Sequence, residues 1–178
     1  MTEGAVRSAL VITISDGVAA GVRDDASGAG LADRLEALGY AVERSAIPDD
    51  EFAIAAAITA GTARHPLVVT TGGTGLTPRD VTPQATRGVL DYEVPGLAEA
   101  MRAAGRTQTP LADLSRGVVG VRGRSLVVNV PGSPRAALES LDAIEGVFEH
   151  ALETLAGPYD HDPRSSAVGG HGPGAATS

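Results

Sequence analysis

Runs of apolar residues alternate with helix-spaced apolar stripes along the chain, and the changeovers predict its elements. Leu10 to Ile14 (LVITI) is a continuous apolar run ending at Ser15-Asp16-Gly17, which predicts a buried strand feeding a loop. Val18 to Ala26 is small, polar and Gly-containing. Ser27 then precedes Leu31, Leu35 and Leu38 at 3-4 spacing, with Gly39 following, a helix capped at both ends. Ala41 to Ile47 predicts a second strand, stopped by Pro48. Asp49 is expected to cap a helix whose first turn holds Asp50 and Glu51 and whose stripe is Ile54, Ala57 and Ile58. Leu67 to Thr71 (LVVTT) is a third buried strand that runs straight into Gly72-Gly73-Thr74-Gly75. Thr82-Pro83 reads as the N-cap and first position of a helix to about Asp91.

Pro95-Gly96 opens a further helix through Ala104. Gly117 to Val130 holds two apolar runs split by Arg122-Gly123-Arg124, which predicts a β-hairpin. Pro131-Gly132-Ser133-Pro134 turns the chain into a long helix ending near Ala156, with Gly146 as its weak point. Strands alternating with helices imply βαβ units, hence an α/β fold: a three-layer α/β/α sandwich around a mainly parallel sheet. The hairpin makes that sheet partly mixed. From Gly157 onward the chain has no periodicity and is rich in Gly, Ser and Pro. The expectation is one domain over residues 1–157 and a disordered tail over 158–178.

Composition narrows the class. The chain has 178 residues, 14 Lys+Arg against 22 Asp+Glu (net charge −8), and 43% hydrophobic residues, which suits one globular domain. There is no Cys, so disulfides and thiolate metal sites are excluded, and a reducing compartment fits. No apolar run approaches the roughly 20 residues that span a bilayer. Met1 to Ser8 carries no secretory pattern. An acidic chain with 3% aromatics is a poor partner for nucleic acid. The expectation is a soluble, cytoplasmic protein that binds neither nucleic acid nor membrane.

In open α/β sheets, ligands bind beyond the carboxyl ends of the strands. Three loops leaving such ends carry Asp16, Asp49 and Asp80, and a fourth runs from Pro131 to Pro134. Singly, Asp16 reads as a loop residue and Asp49 as a cap; their shared edge points to a site. Gly72 to Gly75 lets backbone amides approach a phosphate without obstruction by Cβ. The loop fits neither GxxxxGK[ST] nor GxGxxG, so kinase-type and dinucleotide-binding readings are weak. Arg79 beside it can clamp phosphate oxygens, and Asp80 can hold Mg²⁺ with the same phosphates. His65, His150, His161 and His171 lack the spacing of metal ligands.

Thr70 to Gln84, TTGGTGLTPRDVTPQ, resembles the signature of the Mog/MoaB family of molybdopterin-binding proteins, which includes the G domain of gephyrin. Ile14-Ser15-Asp16, Ile47-Pro48-Asp49-Asp50, Asn129-Val130-Pro131-Gly132-Ser133-Pro134, Ser115-Arg116 and Gly120-Val121-Arg122-Gly123 fit the same pattern. The resemblance runs from about Leu10 to Gly157 and does not extend to the tail. It implies a homotrimer and molybdopterin adenylyltransferase activity, in which Mg-ATP and molybdopterin give adenylylated molybdopterin and pyrophosphate. It implies catalytic and Mg²⁺-holding roles for Asp49 and Asp80. It implies substrate contacts at Ser15, Asp16, Gly72, Gly73, Thr74, Gly75, Arg79, Gly132 and Ser133, with other molybdenum-cofactor biosynthesis proteins as partners. The rival expectations are a non-catalytic trimeric molybdopterin carrier on the same fold and a trimeric scaffold.

Overall fold

The computed structural model describes residues 7–158; the expected tail beyond Pro158, with His161 and His171, lies outside the described residues. The strands are β1 (Ser8–Ile14), β2 (Ala41–Ile47), β3 (Leu67–Thr71), β4 (Tyr92–Glu93), β5 (Val119–Arg122) and β6 (Ser125–Val130). The helices are α1 (Asp16–Ala19), α2 (Ala26–Ala37), α3 (Glu51–Thr62), α4 (Thr82–Arg87), α5 (Pro95–Arg106), α6 (Pro134–Asp142) and α7 (Phe148–Ala156). Two short 3₁₀ turns, Pro110–Leu114 and Glu145–Val147, complete the order. None of the described helices is long and apolar enough to cross a membrane.

The sheet runs β2-β1-β3-β6-β5-β4, so β2 and β4 are its edges. The first four strands are mutually parallel, and the β5–β6 and β4–β5 pairs are antiparallel. The apolar run of β1 is continuous because both its faces are covered. Ala9 and Val11 join Leu31 and Leu35 of α2, Ala98 and Met101 of α5, Ala137 and Leu141 of α6 and Phe148 of α7. Leu10, Ile12 and Ile14 point the other way, onto Ile54 and Ile58 of α3 and Ala85 of α4. This is the expected three-layer arrangement. Ile12, Ile54 and Ile58 are fully buried, and each such side chain contributes about 1.5–3 kcal/mol by leaving water.

Several local expectations need correction. Asp25, not Ser27, caps α2: its carboxylate accepts the Gly28 amide at 2.9 Å, also accepts Thr13 Oγ1, and meets Arg44, while Ser27 is buried inside the helix. Asp50, not Asp49, caps α3, accepting the Ala53 amide at 2.8 Å. Thr82 is the first residue of α4 rather than its cap, and its hydroxyl is turned back to the Gly72 carbonyl. That helix also stops at Arg87, short of Asp91. The long C-terminal helix is broken around Gly146, as its weak point implied.

Candidate functional site

Strand register decides which loops meet. In the β1–β2 ladder Ile14 lies opposite Ile47, so Asp16 and Asp49 each stand two residues past the same rung. They interlock there: the Asp16 amide donates to Asp49 Oδ2 and the Asp49 amide donates to Asp16 Oδ1, both at 3.0 Å. Arg79 closes an ion pair on Asp16 Oδ2. Ser15 caps α1, and its Oγ accepts Arg23 Nη2 at 2.7 Å.

One rung across, Thr71 of β3 lies opposite Val130 of β6, which brings Gly72 beside Pro131-Gly132. The Gly72 amide donates to the Val130 carbonyl at 3.2 Å and Thr71 Oγ1 donates to the Pro131 carbonyl at 2.8 Å. Gly72 and Gly73 both have positive φ, 103° and 63°. A Cβ on Gly72 would stand 2.4 Å from the Ile14 carbonyl oxygen, and one on Gly73 would stand 2.3 Å from Thr82 Oγ1. Only glycine fits two such successive positions.

Asp80 closes the same loop on itself. Its Oδ2 accepts the Thr77 amide at 2.8 Å and the Thr77 hydroxyl at 2.6 Å. Burial works to raise this carboxyl, but those bonds, the Gly75 amide and nearby Arg116 hold it below the usual carboxylate range. Arg116 braces both ends of the loop, its Nε donating to the Gly75 carbonyl at 2.7 Å and its Nη2 to the Asp80 carbonyl. On β6, Asn129 is 1% exposed, donating to Thr70 Oγ1 and Thr86 Oγ1 and accepting the Val118 amide.

Two cavities flank this junction. The smaller, about 490 Å³, is walled by Ser15, Arg23, Asp25, Asp49, Gly72, Gly73 and Gly132 among others. The larger, about 600 Å³ and chiefly apolar, is reached by Thr74, Gly75 and Ser133, with Leu76, Leu111 and Leu114 at its margin. Thus Ser15, Asp49, Gly72, Gly73 and Gly132 share one wall, and Thr74, Gly75 and Ser133 the other. Asp16 and Arg79 join through Asp49. Asp80 borders neither cavity and sits behind Gly75. Ser133 also caps α6, accepting the Ala136 amide at 3.2 Å. Among the described residues no three His, Asp or Glu side chains form a ready metal cage.

Sequence reasoning gave no role to Arg23 or Asp25, and placed Arg116 and Asn129 in the family pattern without assigning either a role. Asp25 had a legible signal, standing three residues before Gly28 at a helix start; burial raises its carboxyl, but Arg44, the Gly28 amide and Thr13 outweigh that and hold it low. The partners of Arg116 and Asn129 lie far away in sequence and left no local pattern.

Comparison with known proteins follows the same geometry. Residues 10–150 match the family model described as a probable molybdopterin binding domain. The chain is 34% identical over 166 residues to the molybdopterin adenylyltransferase of Escherichia coli, covering 84% of this chain and 85% of that protein. It is 39% identical to the molybdenum cofactor biosynthesis bifunctional protein of Synechococcus elongatus, over 86% of this chain but 48% of that protein. The chain therefore spans about half the length of some of the curated relatives it matches. The Mog protein of Mycobacterium ulcerans superposes with a TM-score of 0.80 at 41% identity, over 84% of this chain and 99% of that one. Family model, sequence and fold agree: the chain belongs to the molybdopterin-binding family of Mog and MoaB proteins.

Proposed function

We propose that the protein is a cytoplasmic, homotrimeric molybdopterin adenylyltransferase in molybdenum cofactor biosynthesis. The observation that carries this reading is the pair of cavities on either side of one glycine-rich wall. A reaction joining two large substrates through their phosphates needs two compartments meeting at an anion-tolerant partition. A terminal phosphate oxygen of molybdopterin attacks the α-phosphorus of ATP, and the bond to pyrophosphate breaks. No covalent enzyme intermediate is required, so positioning and charge neutralisation supply the rate.

The residues divide the work accordingly. The turn at Gly73 and Thr74 presents amides to phosphate oxygens, while the Gly72 amide is held by the Val130 carbonyl. Arg79 and Asp16 are each more than half exposed, so their ion pair contributes only about 0–1 kcal/mol. Arg79 can therefore exchange that carboxylate for a phosphate at little cost. Ser15, Gly132 and Ser133 complete the walls, and Arg23 adds a guanidinium to the smaller cavity. Mg²⁺ commonly uses one or two carboxylates together with substrate phosphates. Asp49, with a side chain on the cavity wall, fits that donor set and would hold the ion. Asp80, whose Oδ2 is committed to Thr77, would orient it through water. Bound there, the ion supplies neutralisation of the phosphate charge that otherwise repels an incoming phosphate.

The test is the purified protein with molybdopterin, ATP and Mg²⁺, followed for pyrophosphate and adenylylated pterin. Asp49→Asn is expected to lower turnover at least about 100-fold, a loss of roughly 2.7 kcal/mol in transition-state stabilisation, with an unchanged circular dichroism spectrum. Molybdopterin binding without pyrophosphate release would establish the carrier instead, and near-normal turnover in Asp49→Asn would remove it from the mechanism.

A further inference from the structure

A third cavity, about 260 Å³, lies away from the strand-end junction. It is lined by Arg87 at the end of α4, Arg102 on α5 and Arg116 ahead of β5, with Glu93 as its one carboxylate. The chain contains no lysine; all fourteen basic residues are arginine. Eight of those in the described residues pair with carboxylates: Arg7, Arg34, Arg44, Arg64, Arg79, Arg87, Arg106 and Arg135. Glu93 is already matched by Arg87, Nε to Oε1 at 2.9 Å. Arg102 and Arg116 bond neutral acceptors instead. Arg102 Nη1 reaches the Gly117 carbonyl at 3.4 Å, and Arg116 holds the Gly75 and Asp80 carbonyls and Gln84 Oε1. Glu139, the carboxylate on the far wall of the larger cavity, pairs with Arg135. Three guanidinium groups and one carboxylate therefore line one small cavity, with Asp80 the further carboxylate near Arg116, in a chain of net charge −8.

We propose that Arg87, Arg102 and Arg116 form a binding site for a small multivalent oxyanion of the phosphate or pyrophosphate class. Three planar forks arriving from three separate elements suit an anion with several acceptor oxygens better than a single carboxylate. The site also reports on the neighbouring loop. Arg116 is shared between this cavity and the two carbonyls that bracket residues 75–80, so an anion here fixes the brace of that loop in place. Arg102 lines both this cavity and the larger one. The same phosphate chemistry can accordingly arrive as a free anion or as the phosphate of an ester extending from that side.

The experiment uses the full chain, without Mg²⁺ or pterin and at fixed ionic strength, so its outcome does not depend on the adenylyl transfer proposed above. Calorimetric titration with sodium pyrophosphate, and separately with AMP, is paired with NMR of the arginine Nε–H groups and the backbone amides. Saturable binding is expected, with Arg87, Arg102 and Arg116 resonances shifting together. Arg102→Gln and Arg87→Gln should each weaken binding at least tenfold, and Arg102→Lys should restore only part of the loss. Pyrophosphate binding assigns the site to a free anion, and AMP binding alone assigns it to a phosphate ester. Wild-type affinity in both glutamine variants overturns the proposal, even if one of them melts early. So do shifts confined to the Gly73 and Thr74 amides.

Discussion

Substituting Gly72 and Gly75 separately by alanine divides backbone constraint from side-chain positioning within one loop. At Gly72, φ is 103° and the new Cβ would lie 2.4 Å from the Ile14 carbonyl oxygen, a backbone atom held in the β1 ladder. Left-handed backbone costs an alanine about 1–2 kcal/mol and forced overpacking about 1–3 kcal/mol. Gly72→Ala should therefore lose roughly 2–5 kcal/mol; at about 2–4 °C per kcal/mol for a chain this size, the midpoint falls by roughly 4–20 °C. At Gly75 no positive φ is required, and the new Cβ meets Asp80 Oδ2 at 3.0 Å, the end of a side chain. Alanine there restricts the unfolded chain by about 0.4–1 kcal/mol, which offsets the small displacement of Asp80. Gly75→Ala should melt within a few degrees of the parent, yet turn over more slowly because the Asp80–Thr77 bonds are disturbed. Scanning calorimetry and the adenylylation assay, run on both variants, decide it. Equal midpoint losses in the two variants, or a parent-like midpoint for Gly72→Ala, would refute the reasoning.

Two further outcomes follow from the described contacts. Asn129→Leu strands the Val118 amide and takes a donor from the buried Thr70 and Thr86 hydroxyls, of which Thr86 keeps its bond to the Thr82 carbonyl; at about 1–3 kcal/mol per unsatisfied group, a loss of at least about 2 kcal/mol should appear in urea unfolding, and a loss under about 1 kcal/mol would show the Asn129 bonds to be dispensable. The Asp25 and Asp80 carboxyls bind their protons more weakly folded than unfolded, so the stability they lend is complete above the ordinary aspartate value of 3.8 and drains as pH falls through their lower folded values; melting curves should steepen in pH dependence below about pH 4, and Asp25→Asn should flatten that slope.

The strand frame was legible because its cause is local. β2 and β3 begin and end where their apolar and turn residues say, and the shared edge of Asp16 and Asp49 follows from parallel order alone. Caps were misplaced where two eligible residues stand close together. Asp25 displaces Ser27 because its carboxylate also serves Thr13 and Arg44, and the second of these lies on a strand no local window contains. Asp49 yields the α3 cap to Asp50 because its own carboxylate is engaged by the Asp16 amide, 33 residues away. β4, two residues long, and α1, four residues long, are too short to show any period. Arg116 fitted the family pattern in sequence but carried no role there: its partners are 32 to 41 residues distant, so only folding reveals it as the brace of the loop.

The two edges of the sheet restrict how copies of the chain can associate. A long, bare edge strand invites a neighbouring chain to extend the sheet, which is a common route to fibrous aggregates. Here β2 offers Glu43 and Arg44 along its edge, engaged with Arg64, His65 and Asp25, while β4 is only two residues long. One boundary is blunted by charge and the other by brevity. Strand-on-strand growth is thereby disfavoured within the described sheet, which leaves the helical faces and the loops beyond the strand ends as the surfaces that the described residues offer to another copy.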